Sequence, residues 1–70
     1  MNLKQANTGV EYVITGVNTD DEELNSFLFT LGCYSGEKIT VLRQMRRGCI
    51  VTLKDGRYNF DDQLAEAIAI

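Results

Sequence analysis

Three arginines and a methionine, Arg43, Met45, Arg46 and Arg47, crowd one short stretch of the chain. Guanidinium groups are planar donors matched to carboxylate and phosphate. Three of them on one loop can dock an acidic protein surface or a membrane face. Loop tips are also charged simply because they are solvated. Both readings stand at this stage. The aromatic residues Phe29, Tyr34 and Tyr58 are a second set, since aromatic side chains are favoured binding anchors. Tyr34 and Tyr58 either line a groove that accepts an extended or proline-rich peptide, or pack at the rim of the core.

The acidic run Asp20-Asp21-Glu22-Glu23 has the ligand type that hard cations use. Consecutive helical residues diverge by about 100°, so these carboxylates cannot converge on one ion. Capping and compensation of the helix dipole explain them better. Asp61 and Asp62 read the same way. Cys33 and Cys49 lie outside any CxxC pattern, and the chain has no histidine. Two thiols alone cannot supply the four ligands of a Cys/His zinc site. They read as small core hydrophobes, with reactive or redox thiols as the other option. No metal site is assigned and no cofactor is called for.

Whole classes of function drop out on composition. Without histidine the commonest general base is missing. No nucleophile–base pair and no GxxxxGK[ST] phosphate loop is present. The chain is therefore expected to be no enzyme. Seven basic residues against ten acidic ones, net −3, make a poor nucleic-acid binder. Seventy residues make one domain. The N-terminus lacks the apolar stretch of a signal peptide. The longest apolar run, Ala67-Ile68-Ala69-Ile70, is far short of the roughly 18–20 residues that cross a bilayer. An intracellular soluble protein is expected, with no insertion into the membrane.

Residues 1–8 are polar and unpatterned, and are predicted to form a flexible arm before a single domain over 9–70. Val10, Tyr12 and Ile14 alternate with Glu11 and Thr15, which predicts one strand from Val10 to Val17. Thr19 and Glu22 have capping-box spacing, and so, less strictly, do Asp20 and Glu23. Leu24, Phe27, Leu28 and Leu31 then form an apolar helical stripe, closed by Gly32 at the C-cap. Phe29 lies about 140° from Leu24 around that helix. It is either part of a wide apolar face covered by the Cys33-Tyr34 loop or an exposed anchor. Glu37–Gln44 and Cys49–Lys54 read as strands joined by a loop at Met45–Gly48. Cys49, Val51 and Leu53 share one strand face. Asp55-Gly56 predicts a type I′ hairpin turn into a short strand, Arg57–Phe60. Asp61 caps a helical turn over Asp62–Glu66, and Ile68–Ile70 closes the fold. The chain is mainly β with some helix. A sheet this short must curl. The expected fold is a five-stranded, partly open barrel, with one helix after the first strand and a helical turn before the last.

This order resembles the ferrous iron transport protein A (FeoA) family, whose members adopt an SH3-like barrel. The resemblance runs from Gly9 to Ile70. It is carried by Phe27-Leu28-Phe29-Thr30-Leu31-Gly32-Cys33-Tyr34-Ser35-Gly36-Glu37-Lys38-Ile39, and by Asp55-Gly56-Arg57-Tyr58 through Leu64-Ala65 to Ile68-Ala69-Ile70. Ser35 stands where the family usually has a proline, which would pre-set φ in that turn. The resemblance implies a cytoplasmic accessory of ferrous iron uptake. It would act by contact with the ferrous iron transporter, ferrous iron transport protein B, at its cytosolic GTP-binding part, and be recruited to the inner face of the membrane through it. The alternative is a metal- or peptide-responsive regulatory domain like the SH3-like domain of metal-dependent repressors, here without a helix-turn-helix before it.

Overall fold

A computed structural model describes all residues, Met1–Ile70. In chain order the elements are β1 (Glu11–Val13), β2 (Gly16–Val17), α1 (Glu22–Leu31), β3 (Lys38–Met45), β4 (Gly48–Leu53), β5 (Gly56–Asp61), α2 (Asp62–Ala67) and β6 (Ile68–Ala69). A 3-10 turn at Leu3–Gln5 precedes them. One antiparallel sheet has the order β1-β3-β4-β5, and β2 pairs with β6 in a second. The result is the small, mainly β, partly open barrel that the sequence predicts.

The predicted first strand is broken in two. Tyr12 pairs with Ile39 in one sheet, and Val17 pairs with Ile68 in the other. Ile14 sits at the switch and is buried. Its N–H donates to the Glu37 carbonyl and its own carbonyl accepts from Gly36 N–H, both at 2.8 Å. Val10, which precedes β1, is 44% exposed, while Tyr12 and Ile14 turn inward as predicted.

Residues 1–8 are not a free arm. Leu3 is fully buried and Ala6 nearly so, both within the main core cluster. Asn2 caps the 3-10 turn, and Ile70 N–H donates to the Met1 carbonyl at 2.9 Å. Gln44 Nε2 donates to the carbonyls of Leu3 and Ala6 at 2.7 and 3.1 Å. One apolar side chain with a core pocket to fill is enough to tie such a segment down. A polar composition hides it.

β4 is central, and Cys49, Val51 and Leu53 are buried as their alternation predicts. β3 carries a bulge. Val41 faces Val51, but Arg43 already faces Ile50, so Leu42 is an extra residue. The bulge inverts the alternation. Ile39 and Val41 point inward, Arg43 is left exposed, and Gln44 takes the inward-leaning position.

α1 is capped by Asp21 rather than through the predicted Thr19–Glu22 box. Asp21 Oδ1 accepts from the N–H groups of Glu23 and Leu24 at 3.0 and 3.2 Å. Thr19 Oγ1 accepts from Asp21 N–H instead. Gly32 has φ 86°, Cys33 N–H donates to the Leu28 carbonyl, and Gly32 N–H to that of Phe29. That is the double bond pattern of a Schellman stop. The predicted apolar stripe is only partly used. Leu28 is buried and Leu24 and Leu31 lean on the core, but Phe27 is 50% exposed.

The β4–β5 turn is one residue earlier than predicted. Leu53 pairs with Gly56, so Lys54 and Asp55 form the turn and Gly56 opens β5. Lys54 carries the positive φ, 55°. Positive φ at the first central residue alone is the sign pattern of a type II′ rather than a type I′ turn. Asp61 caps α2 as predicted, accepting from Leu64 N–H at 2.9 Å.

Candidate partner-docking surface

The cationic residues sit at the β3–β4 hairpin. Met45 pairs with Gly48, which leaves Arg46 and Arg47 as a two-residue turn. Below it, Lys4 Nζ donates to the carbonyls of Met45 and Gly48 at 3.0 and 3.1 Å. The same ammonium pairs with Asp62 Oδ1 at 3.0 Å. Asp62 N–H in turn donates to the Arg47 carbonyl at 3.0 Å. The backbone of the tip is thus held from beneath while its side chains face water. Arg43, Arg46 and Arg47 are all exposed, and none is in an ion pair. Met45 and Leu42 add exposed apolar surface, at 40% and 42%. Three available guanidinium groups beside two apolar side chains can bind carboxylates and bury an apolar contact together.

The aromatic residues gather elsewhere. The Phe29 and Tyr34 rings are 5.0 Å apart between centroids, tilted by 32°. Phe29 is nevertheless 66% exposed, so the Cys33-Tyr34 loop touches it without covering it. Lys54 Nζ lies 5.8 Å from the Tyr34 ring centre and 3.3 Å from Glu37 Oε2. The hydrogen bond and charge of Glu37 push the Lys54 pKa up. Lys54 belongs to the turn after Leu53, whereas Arg46 and Arg47 precede Gly48. The two sets therefore occupy opposite ends of β4, about 17 Å apart at 3.3 Å per residue.

Tyr58 joins neither set. Its ring stacks on Phe60 at 6.1 Å and lies over Gly56, where an added Cβ would come within 2.5 Å of the hydroxyl. It shares no groove with Tyr34: none of the three surface depressions is lined by either tyrosine. The one depression with no apolar lining residue, about 310 Å³, is lined by Glu11, Glu37, Lys38, Thr40, Thr52 and Lys54 with Gly36. Its charges are internally paired, Lys38 with Glu11 and Lys54 with Glu37.

Cys33 and Cys49 are buried and unbonded. Burial pushes the Cys33 thiol up to about 11 and raises Cys49 as well. Thiols so placed are weak nucleophiles at neutral pH. No three His, Cys, Asp or Glu side chains converge as a metal cluster. No helix is long and apolar enough to cross a membrane.

Sequence reasoning missed Lys4 and Glu37. Lys4 lies 41 residues from Met45 in the chain, and no local pattern announces the contact. Glu37 looks like an ordinary strand-start residue, and only the β3–β4 register brings it to Lys54.

The FeoA domain family matches this chain over residues 1–70, its whole length. The chain belongs to the FeoA family. That family is linked to ferrous iron transport. A solved iron uptake regulatory protein (FeoA) superposes on this FeoA chain with a TM-score of 0.84 at 19% identity, covering 97% of this chain and 91% of the other. FeoA of Stenotrophomonas maltophilia, solved in complex with zinc, gives 0.86 at 16% identity over 99% and 87%. It is described as a prokaryotic SH3 domain protein and proposed as a ferrous iron transport activating factor. A manganese-dependent transcriptional repressor gives 0.84 at 14% identity, over 97% of this chain and 39% of its own. At these identities the likeness shows the fold, which is SH3-like. Comparison with curated protein sequences gives no match.

Proposed function

We propose that this FeoA chain is a non-catalytic cytoplasmic accessory of ferrous iron uptake. It docks on an acidic surface of the cytosolic GTP-binding part of the ferrous iron transporter, and so reaches the inner face of the membrane. The observation that carries the docking mode is the β3–β4 hairpin. Its backbone is pinned by Lys4 and Asp62, and its three arginines are unpaired beside Met45. A surface of this kind loses little conformational freedom in its backbone on binding, which favours affinity.

The test is a two-dimensional amide NMR titration of the labelled chain with the soluble GTP-binding domain of the cognate transporter. Shifts are expected at Arg43 and Met45–Gly48. The double reversal Arg46→Glu/Arg47→Glu is expected to weaken binding at least about tenfold at low salt, with the difference shrinking as salt screens the charges. Affinity indifferent to the double reversal overturns the docking mode. A localised response to a divalent metal with silence toward the protein favours instead the metal-responsive reading.

A further inference from the structure

β5 is an edge strand with its outer side unpaired. The sheet order β1-β3-β4-β5 places no strand beyond it. Leu53 and Gly56 close the turn, so Gly56, Tyr58 and Phe60 exchange hydrogen bonds with β4. Asp62 N–H donating to the Arg47 carbonyl continues the same even-numbered series. The backbone N–H groups of Arg57, Asn59 and Asp61, and the carbonyls of Arg57 and Asn59, therefore point away from the sheet. The side chains of Arg57, Asn59 and Asp61 are all exposed. The opposite edge, β1, spans only Glu11–Val13.

Charges on an edge strand normally keep other strands away. Here they are of opposite sign and sit at equal distances on either side of Asn59. That arrangement repels most strands and fits one: the same strand, reversed. With antiparallel pairing about Asn59, Asn59 faces its own copy and Arg57 faces Asp61 of the second copy, twice. Opposite charges directly across an antiparallel pair are favourable, and like charges are not. The odd-numbered residues are the ones whose backbone groups face outward, so this register also satisfies the hydrogen bonds. The two Asn59 residues exchange a pair, and each Asp61 N–H donates to the Arg57 carbonyl opposite. Asp61 Oδ1 caps α2, which leaves its other oxygen for Arg57 of the second copy.

We infer that β5 pairs antiparallel with β5 of a second copy of this chain, about a two-fold axis at Asn59, joining the two four-stranded sheets into one. The contact is isologous and closes at the dimer. It is small, so the dimer is weak and salt-sensitive. It leaves both β3–β4 hairpins free and does not rest on the transporter reading.

Sedimentation of the full chain from micromolar to millimolar concentration at low ionic strength tests it. A monomer–dimer equilibrium is expected, together with slowing of Asn59 amide exchange as concentration rises. Asn59→Pro removes the outward N–H and leaves the β4 ladder intact. Arg57→Asp turns both cross-strand pairs repulsive. Each is expected to weaken the dimer at least about tenfold with an unchanged far-UV circular dichroism spectrum, and Arg57→Lys to preserve it. If Asn59→Pro does not fold, Arg57→Asp decides. A wild-type chain monomeric throughout, or a dimer indifferent to Arg57→Asp, overturns the proposal.

Discussion

β4 is flanked by a two-residue turn on each side, Arg46-Arg47 and Lys54-Asp55, and the two turns treat their cations in opposite ways. At the Gly48 end the side chains of Arg46 and Arg47 are unpaired, while Lys4 holds the flanking carbonyls of Met45 and Gly48 and Asp62 N–H holds that of Arg47. At the Leu53 end the Lys54 ammonium is held by Glu37 and lies over Tyr34. What separates them is what a neighbouring acid pairs with. Asp62, beside the first turn, is taken by Lys4 from beneath. Glu37, beside the second, is brought up to Lys54 by the strand register. Availability of a surface cation is thus decided by competition among its neighbours, and counting charges along the chain does not reveal it.

The largest expected effect breaks the Gly48 end outright. A Cβ on Gly48 would lie 2.2 Å from the Phe60 carbonyl oxygen and 3.0 Å from Asp61 Cα, both backbone atoms of the paired strand. Gly48→Ala is expected to lower stability by about 3 kcal/mol, the upper part of the range for overpacking, as read by urea unfolding.

Alkaline pH tests the region around α1's C-terminus next. Cys33 titrates near 11 in the fold against an ordinary value of 9.0. The unfolded chain therefore loses this proton first, and stability falls as pH rises from 9 to about 11, by about 2 kcal/mol given about 1.4 kcal/mol per unit. Below pH 9 this contribution is whole. The raised Lys54 works in the same direction, because its ion pair is lost only when the ammonium deprotonates. Unfolding midpoints measured across that pH range check the sign.

Removing the anchor sharpens the comparison. Lys4→Met leaves the carbonyls of Met45 and Gly48 and the Asp62 carboxylate without their shared donor. A loss of about 1–2 kcal/mol is expected. Faster amide exchange should be confined to the Met45–Gly48 turn, with the Lys54 turn unaffected. A smaller effect is expected from Gly32→Ala. The added Cβ meets Lys54 Cε at 2.4 Å, a flexible side chain that can move, but the left-handed backbone at φ 86° costs about 1 kcal/mol. Loss of the Lys54–Glu37 pairing should accompany it in NMR spectra. Smallest is Phe29→Ala, which removes an exposed ring and its contact with Tyr34. About 0.5 kcal/mol is expected, and hairpin docking should be unchanged.

Local patterns were enough for several elements. Gly32 stops α1 because an αL residue is needed after Leu31, and only glycine takes it freely. Cys49, Val51 and Leu53 alternate on a strand buried on one face. Asp61 caps α2 with its own side chain. Each depends on residues a few positions apart. The failures depend on distance. Val10 is expected inside, but it lies before the start of β1 and is 44% exposed, while the alternation holds from Glu11 to Ile14. Phe27 matches the helical stripe, yet the barrel meets only the flank around Leu28. Arg43 faces out only because Leu42 is a bulge residue, and nothing in the sequence of β3 marks that position.

The candidate site divides along the same line. The arginines, Met45 and the turn that groups them are legible in the sequence, since a two-residue hairpin brings its own flanks together. That Phe29 and Tyr34 lie at the far end of β4, and that Tyr58 packs on Phe60 instead of joining Tyr34, depends on how the strands are assembled.

By itself, then, the sequence determined most element types, the Gly32 stop of α1 and the inward face of β4, because these rest on short-range periodicity, capping and turn chemistry. Only the tertiary structure decided that Leu3 and Ala6 are part of the core, that the arginines are free while Lys54 is paired, and that β5 has an open edge. Those outcomes turn on contacts between residues tens of positions apart, which no local pattern along the chain fixes.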